Sequence, residues 1–186
     1  MKIFFTMLLL FCFLSLAAQN TLNEILKQQM LKEWDRAKTY TDEYLDAMPA
    51  DKYGFRAVDS IRSFAQQMLH LAMANVALAG IGTDALNSNV QNIFLRRNLE
   101  NTPTAQSKDS VVYFVNSSYD FVMNCIKNQD FSKITEVVNH QMPGGIRSET
   151  RLTWLMKTFE HQTHHRGQCT IYIRLLGIRP PAEKLF

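Results

Sequence analysis

The chain has 186 residues, which suits one domain built around a single continuous core. Its 20 basic and 17 acidic residues nearly balance, and neither sign forms a long block, so recognition of nucleic acid through a basic patch is excluded. Seven glycines and five prolines are too few for a many-turned β-sandwich or barrel.

The N-terminus reads as a leader rather than as part of the fold. Met1 and Lys2 precede an apolar run from Ile3 to Leu16, then small residues at Ala17 and Ala18, then polar Gln19 and Asn20. That order is the layout of a secretory signal peptide over residues 1–18, and the run is short for a membrane span. The expectation is an exported protein, periplasmic or secreted, with no stable membrane insertion once the leader is removed. The mature domain then covers residues 20–186. Cys12 follows Phe11 in the middle of the apolar run, where lipid attachment would call for a small preceding residue, so it reads as part of the leader. Cys125 and Cys169 remain, each inside an apolar helical pattern. Their spacing leaves both buried thiols and a bridge open, and neither sits in a thiolate-activating motif.

Thr21 to about Ala47 carries apolar residues at steps of three and four, from Leu22, Ile25 and Leu26 through Met30, Trp34, Ala37, Tyr40, Tyr44 and Leu45. This is an amphipathic helix, ended by Pro49 and Asp51. A second helix is expected from Asp59 or Ser60 to about Ala79, with Gly80 and Gly82 as its stop. It bears His70 in an alanine-rich setting. Residues 83–103 show no clear period beyond a short helix near Asn87–Asn98. A third long helix spans about Lys108–Lys127. Residues 128–147 form a connector, with a short strand or hairpin around Ile134–Val138. Glu149–Leu176 is the last helix, closed by Gly177 and followed by Pro180 and Pro181. Four long helices joined by longer crossings make an all-α, four-helix bundle.

The last helix contains FEHQTHHRGQ at Phe159–Gln168. His161 and His165 are four apart and project from one face, a spacing that lets two imidazoles converge on one ion. His70 on the second helix is the candidate third ligand, since facing helices of a bundle bring such residues together. Three neutral imidazoles leave positions open for water or substrate, and they suit zinc, nickel, iron or copper. The competing reading is ordinary: a lone core histidine and a surface pair that bind nothing.

The run H-x-x-H-H-R-G-Q at His161–Gln168, followed by Tyr172, Leu175, Leu176, Gly177 and Pro180-Pro181, resembles the C-terminal signature of the DinB-like (damage-inducible) family. Ser63–His70 and the connector Met48–Arg56 are similar to the same family, so the resemblance covers essentially the whole mature chain. It implies an antiparallel four-helix bundle with a divalent metal, zinc or nickel foremost and iron next, held by His70, His161 and His165. It gives no ligand role to His164. Gly167 is expected at a close helix contact, Arg166 on a neighbouring carboxylate or carbonyl, and Gln168 hydrogen-bonded near the site. A carboxylate from the first helix, Glu33 or Asp42, is a candidate to hold a ligand histidine. Family members include thiol transferases and an isomerase that depends on a low-molecular-weight thiol. The resemblance therefore implies a metal-dependent enzyme acting on a small molecule, transferase-like or hydrolytic. A non-catalytic metal-binding or stress-associated bundle is the alternative. Members are often dimers, and Phe94 and Phe186 are candidate exposed aromatics for a homodimer interface.

Overall fold

A computed structural model describes residues 2–186, with side chains described from Gln19 onward except at positions 20 and 88. The signal-peptide assignment of residues 1–18 and the reading of Cys12 lie outside the described side chains. The elements run α1 (Lys2–Ala47), α2 (Phe64–Thr83), α3 (Ser88–Val90), α4 (Lys108–Asn128), β1 (Val137–Met142), β2 (Gly145–Thr150) and α5 (Arg151–Leu175). The four long helices form the expected bundle, with α2 packed on α4 and α5, and α1 on the same two. The α2–α5 pair is the most extensive contact, and the candidate site lies along it.

The core explains why each helix keeps its register. Trp34 of α1 meets Tyr119 of α4 and Phe159 of α5 edge-on, at ring-centroid distances of 5.6 and 5.3 Å. Phe64, Met68, Leu69, Leu71, Leu155 and Ile126 are fully buried around them. Each such side chain contributes about 1.5–3 kcal/mol of burial free energy. The apolar stripe of α1 begins to bury only at Leu26, because Leu22 and Ile25 are 64% and 61% exposed. α2 is long and apolar enough to cross a membrane by composition alone, yet most of it is buried inside the bundle, as the core helix of the fold.

Three expectations shift. α2 starts at Phe64 rather than near Asp59, because Ser63 makes a full capping box with Gln66: its hydroxyl accepts from Gln66 N, and the Gln66 side chain accepts from Ser63 N. The end also moves, since Gly80 and Gly82 are inside α2 and buried. A Cβ on Gly82 would lie 2.8 Å from Trp154 Cβ, so this glycine lets α5 approach. Asp84, left-handed at φ 54°, is the true stop. The hairpin falls at 137–150 rather than 134–138, with Val137 opposite Thr150 and Met142 opposite Gly145. Ile134 is instead a buried anchor whose carbonyl accepts from Leu152 N.

Cys125 and Cys169 are both buried and free. Burial pushes both thiols up, away from thiolate character.

Candidate metal centre

α2 presents His70 and α5 presents His161 and His165 on the faces that meet. Candidate ligand atoms of the three residues all lie within 4.8 Å of one another. Their ring centroids stand 5.3 Å (His70–His161), 4.7 Å (His70–His165) and 4.4 Å (His161–His165) apart. The one-turn spacing on α5 and the tight α2–α5 packing together produce this cluster.

The surrounding hydrogen bonds fix which ring nitrogens are free. His70 Nδ1 donates to Glu100 Oε2 at 2.9 Å, and His165 Nδ1 donates to Gln67 Oε1 at 2.9 Å. An acceptor oxygen on Nδ1 keeps the proton there and leaves the Nε2 lone pair facing away from that partner, the usual arrangement of a ligating histidine. Gln67 is itself held, since its Nε2 donates to Gln168 Oε1 at 2.7 Å. Gln168 Nε2 then donates to His164 Nε2 at 3.0 Å, which occupies that nitrogen of the exposed His164. Gln168 thus bonds beside the site, as its position on α5 suggested.

Glu100 stands where the sequence showed no period, on a helical turn at Leu99–Asn101. Buried Leu99 pins this turn to the core. Arg62 Nε and Nη2 reach the two carboxylate oxygens at 3.2 and 3.3 Å, and Gln106 Nε2 donates to the Glu100 carbonyl at 2.9 Å. The carboxylate expected from α1 is therefore supplied by this loop. Glu33 is engaged with Arg36, and Asp42 is bonded to Asn116.

Burial, with the neighbouring His70 ring next, lowers the His161 pKa to about 4. Burial and then His161 lower that of His165 to about 3. His70 is lowered as well, by burial and Arg62 against the opposing pull of Glu100. All three are neutral at pH 7, the form that offers lone pairs.

The residues present fit a divalent cation. His161 Nδ1 is one of few buried side-chain polar atoms without a hydrogen-bond partner among the described residues. Such an orphan costs about 1–3 kcal/mol, which ligation would offset. Imidazole donors suit zinc, copper, iron and nickel alike.

Of two further α5 residues, Gly167 departs from expectation and Arg166 follows it. Gly167 is exposed with nothing within 4 Å of a Cβ position, so it makes no close helix contact. Arg166 is buried and takes the carbonyl of the two expected partner types: its Nη1 donates to Ala37 O, Gln162 Oε1 and Thr41 Oγ1, and its guanidinium lies 4.6 Å from the Tyr40 ring. Phe94 is buried against Phe114 and leaves the list of exposed aromatics, whereas Phe186 is fully exposed.

Two cavities flank the cluster. One of about 670 Å³ is bordered by Arg62, Gln67, Glu100, His164 and His165. The other, about 410 Å³, lies between α5 and the hairpin and is bordered by His161, Glu160, Trp154 and Arg147.

The DinB family profile matches residues 18–185, and the chain belongs to the DinB family. A DinB-like protein of Bacillus cereus has a similar crystal structure, with a TM-score of 0.65 at 16% identity, covering 84% of this chain and 97% of that one. A DinB-like protein of Bacillus subtilis gives 0.62 at 15%, covering 85% and 96%. A conserved protein of Enterococcus faecalis gives 0.63 at 14%, covering 82% and 98%. At these identities the likeness is one of fold. No curated protein matches the chain.

Proposed function

We propose that this member of the DinB family is an exported protein that binds one divalent metal ion through His70, His161 and His165 and uses it in catalysis on a small molecule. The carrying observation is the cluster itself: three imidazoles within 4.8 Å, two with Nδ1 committed to fixed acceptors and one with Nδ1 buried and unpartnered. The family resemblance favours zinc and nickel, with iron next, and imidazole suits all three. A bound ion supplies Lewis acidity that lowers the pKa of a water or a thiol, giving a hydrolytic or a thiol-transfer reaction.

The chain's own residues prepare that chemistry. Glu100 and Gln67 hold His70 and His165 in one tautomer and one ring orientation. Burial keeps the three rings neutral, so no proton competes for their lone pairs at pH 7. The two flanking cavities give a small molecule access to the cluster from either side.

Elemental analysis of protein purified without an affinity tag tests the site. The expected result is one metal ion per chain in the wild type and loss of it in His70→Ala. A metal-free wild type, or a mutant that keeps the ion, overturns the assignment. Turnover of thiol and electrophile pairs, or of esters and amides, should vanish on chelation and return with a single metal. N-terminal sequencing of the exported form should begin near Gln19.

A further inference from the structure

A further cavity, about 330 Å³, opens between α1 and α5 and is bordered by none of the three histidines. Exposure sets its depth. Trp34 and Leu155 are buried and form its floor, Met30 and Phe159 are half-buried along its sides, and Met156 and Glu160 are exposed at its mouth. Trp34 meets Phe159 edge-on at 5.3 Å, so the aromatic wall is anchored to the core.

Two carboxylates border the cavity, and only one is free. Glu33 accepts from Gln29 Nε2 on Oε1 at 3.0 Å and from Arg36 on Oε2 at 2.9 and 2.6 Å, so its charge is already met. Glu160 has no ion pair or hydrogen bond among the described residues. No lysine, arginine or histidine among those residues borders the cavity. An apolar hollow therefore carries one uncompensated negative charge.

We infer that this cavity binds a small amphipathic monocation, an ammonium on an apolar body the size of one aromatic ring. The body enters over Trp34, Leu155 and Phe159, and the ammonium stays at the mouth on the Glu160 carboxylate. Burial of apolar surface drives entry, and the charge-assisted hydrogen bond selects the head group. Aromatic rings and thioethers also receive a cation well. An anion meets Glu160 with no positive charge to hold it, and a dication gains little because Glu33 is spent on Arg36. The volume lies at the low end of the range of about 300–1,000 Å³ for small-molecule sites, which suits a compact ligand rather than a partner helix. This site goes beyond the metal centre and does not depend on it. Glu160 also borders the cavity beside the hairpin, so the test must tell the two apart.

Ligand-detected NMR titration of the full-length, chelator-treated protein with phenethylammonium, phenethyl alcohol and phenylpropionate tests the inference. The ammonium should bind about tenfold tighter than the alcohol, as a charge-assisted hydrogen bond in place of a neutral one allows, and the carboxylate more weakly than either. Glu160→Gln should bring the ammonium down to the affinity of the alcohol. Met156 borders this cavity and not the one beside the hairpin. Met156→Lys puts a cation at the mouth, one turn before Glu160, and should abolish ammonium binding. Both positions are exposed, so neither change disturbs the core. Equal affinity for ammonium and alcohol, binding of none of the three, or a preference that survives Glu160→Gln overturns the inference. Ammonium binding that survives Met156→Lys overturns it too, because it puts the cation in the hairpin cavity. The samples carry no metal, so failure of the metal assignment leaves each of these outcomes standing.

Discussion

Glu100 Oε2 accepts a hydrogen bond from His70 Nδ1 at 2.9 Å, tying an irregular loop to the helix that carries the first candidate ligand. The same carboxylate receives Arg62 on both oxygens, Oε2 being shared with the histidine, so a second group fixes its position. Glu100 therefore acts on the cluster by orienting His70.

Replacing Glu100 should weaken metal binding without removing a ligand. Loss of such an outer partner typically costs about 10–100-fold in affinity. Glu100→Ala is expected in that range. Glu100→Gln should fall between it and wild type, because the amide oxygen still accepts from Nδ1 while the Arg62 pair is lost. Competition titration against a chromophoric chelator gives the affinities. An unchanged value in Glu100→Ala would detach this residue from the site.

The pH response of the metal-free protein follows from the depressed histidines. In the unfolded chain their pKa is near 6.5, whereas in the fold His161 sits at about 4 and His165 at about 3. Between those values the unfolded state binds protons that the folded state refuses, so stability falls as pH falls. It should be fully present above about pH 6.5 and decline steadily toward pH 4, by roughly 5 °C or more in Tm. Thermal scans of chelator-treated protein across this range measure it, and the His161→Gln/His165→Gln double variant should flatten the slope. Metal content should fall over the same window as protons compete for the rings.

What was legible in the sequence divides along the range of the interactions. The His161–His165 pair is a local fact of helix periodicity, and the four long helices follow from apolar spacing alone. Their partner His70 came within reach through the bundle topology and the family resemblance. Glu100 was hidden because its loop has no period, and its place depends on Leu99 in the core and on Arg62 from before α2. Gly82 and Gly167 illustrate the same limit from opposite sides. An isolated glycine reads alike whether a neighbouring helix fills the space, as Trp154 does at Gly82, or nothing does, as at Gly167. Only the packing of α2 on α5 separates them.

Arg166 offers a stability test independent of the metal. Its charge is buried, and is satisfied by Ala37 O, Thr41 Oγ1, Gln162 Oε1 and the face of the Tyr40 ring, with no acidic partner. Gln162 Oε1 also accepts from the Tyr119 hydroxyl, so α1, α4 and α5 meet in one polar knot. Arg166→Met should cost about 1–3 kcal/mol, because buried acceptors lose a donor. Arg166→Lys should recover little, since an ammonium cannot reproduce the planar fork over Tyr40. Urea unfolding gives the values, and metal stoichiometry should be unchanged in both variants.

Two glycine-to-alanine changes should move stability in opposite directions. Alanine is favoured over glycine inside a helix by about 1 kcal/mol, and both positions are helical. At Gly82 the new methyl would sit 2.8 Å from Trp154 Cβ and 3.3 Å from Arg151 O. Neither atom is the end of a flexible side chain, so α5 itself must shift. Overpacking of this kind costs about 1–3 kcal/mol and outweighs the helix term. At Gly167 the methyl meets nothing within 4 Å and the helix term acts alone. Gly167→Ala should therefore raise Tm by roughly 2–4 °C, and Gly82→Ala should lower it by a similar or larger amount. Thermal denaturation of the two single variants measures both, and Gly82→Ala should also loosen the metal site, because the α2–α5 seam that it pries apart is the one joining His70 to His161 and His165.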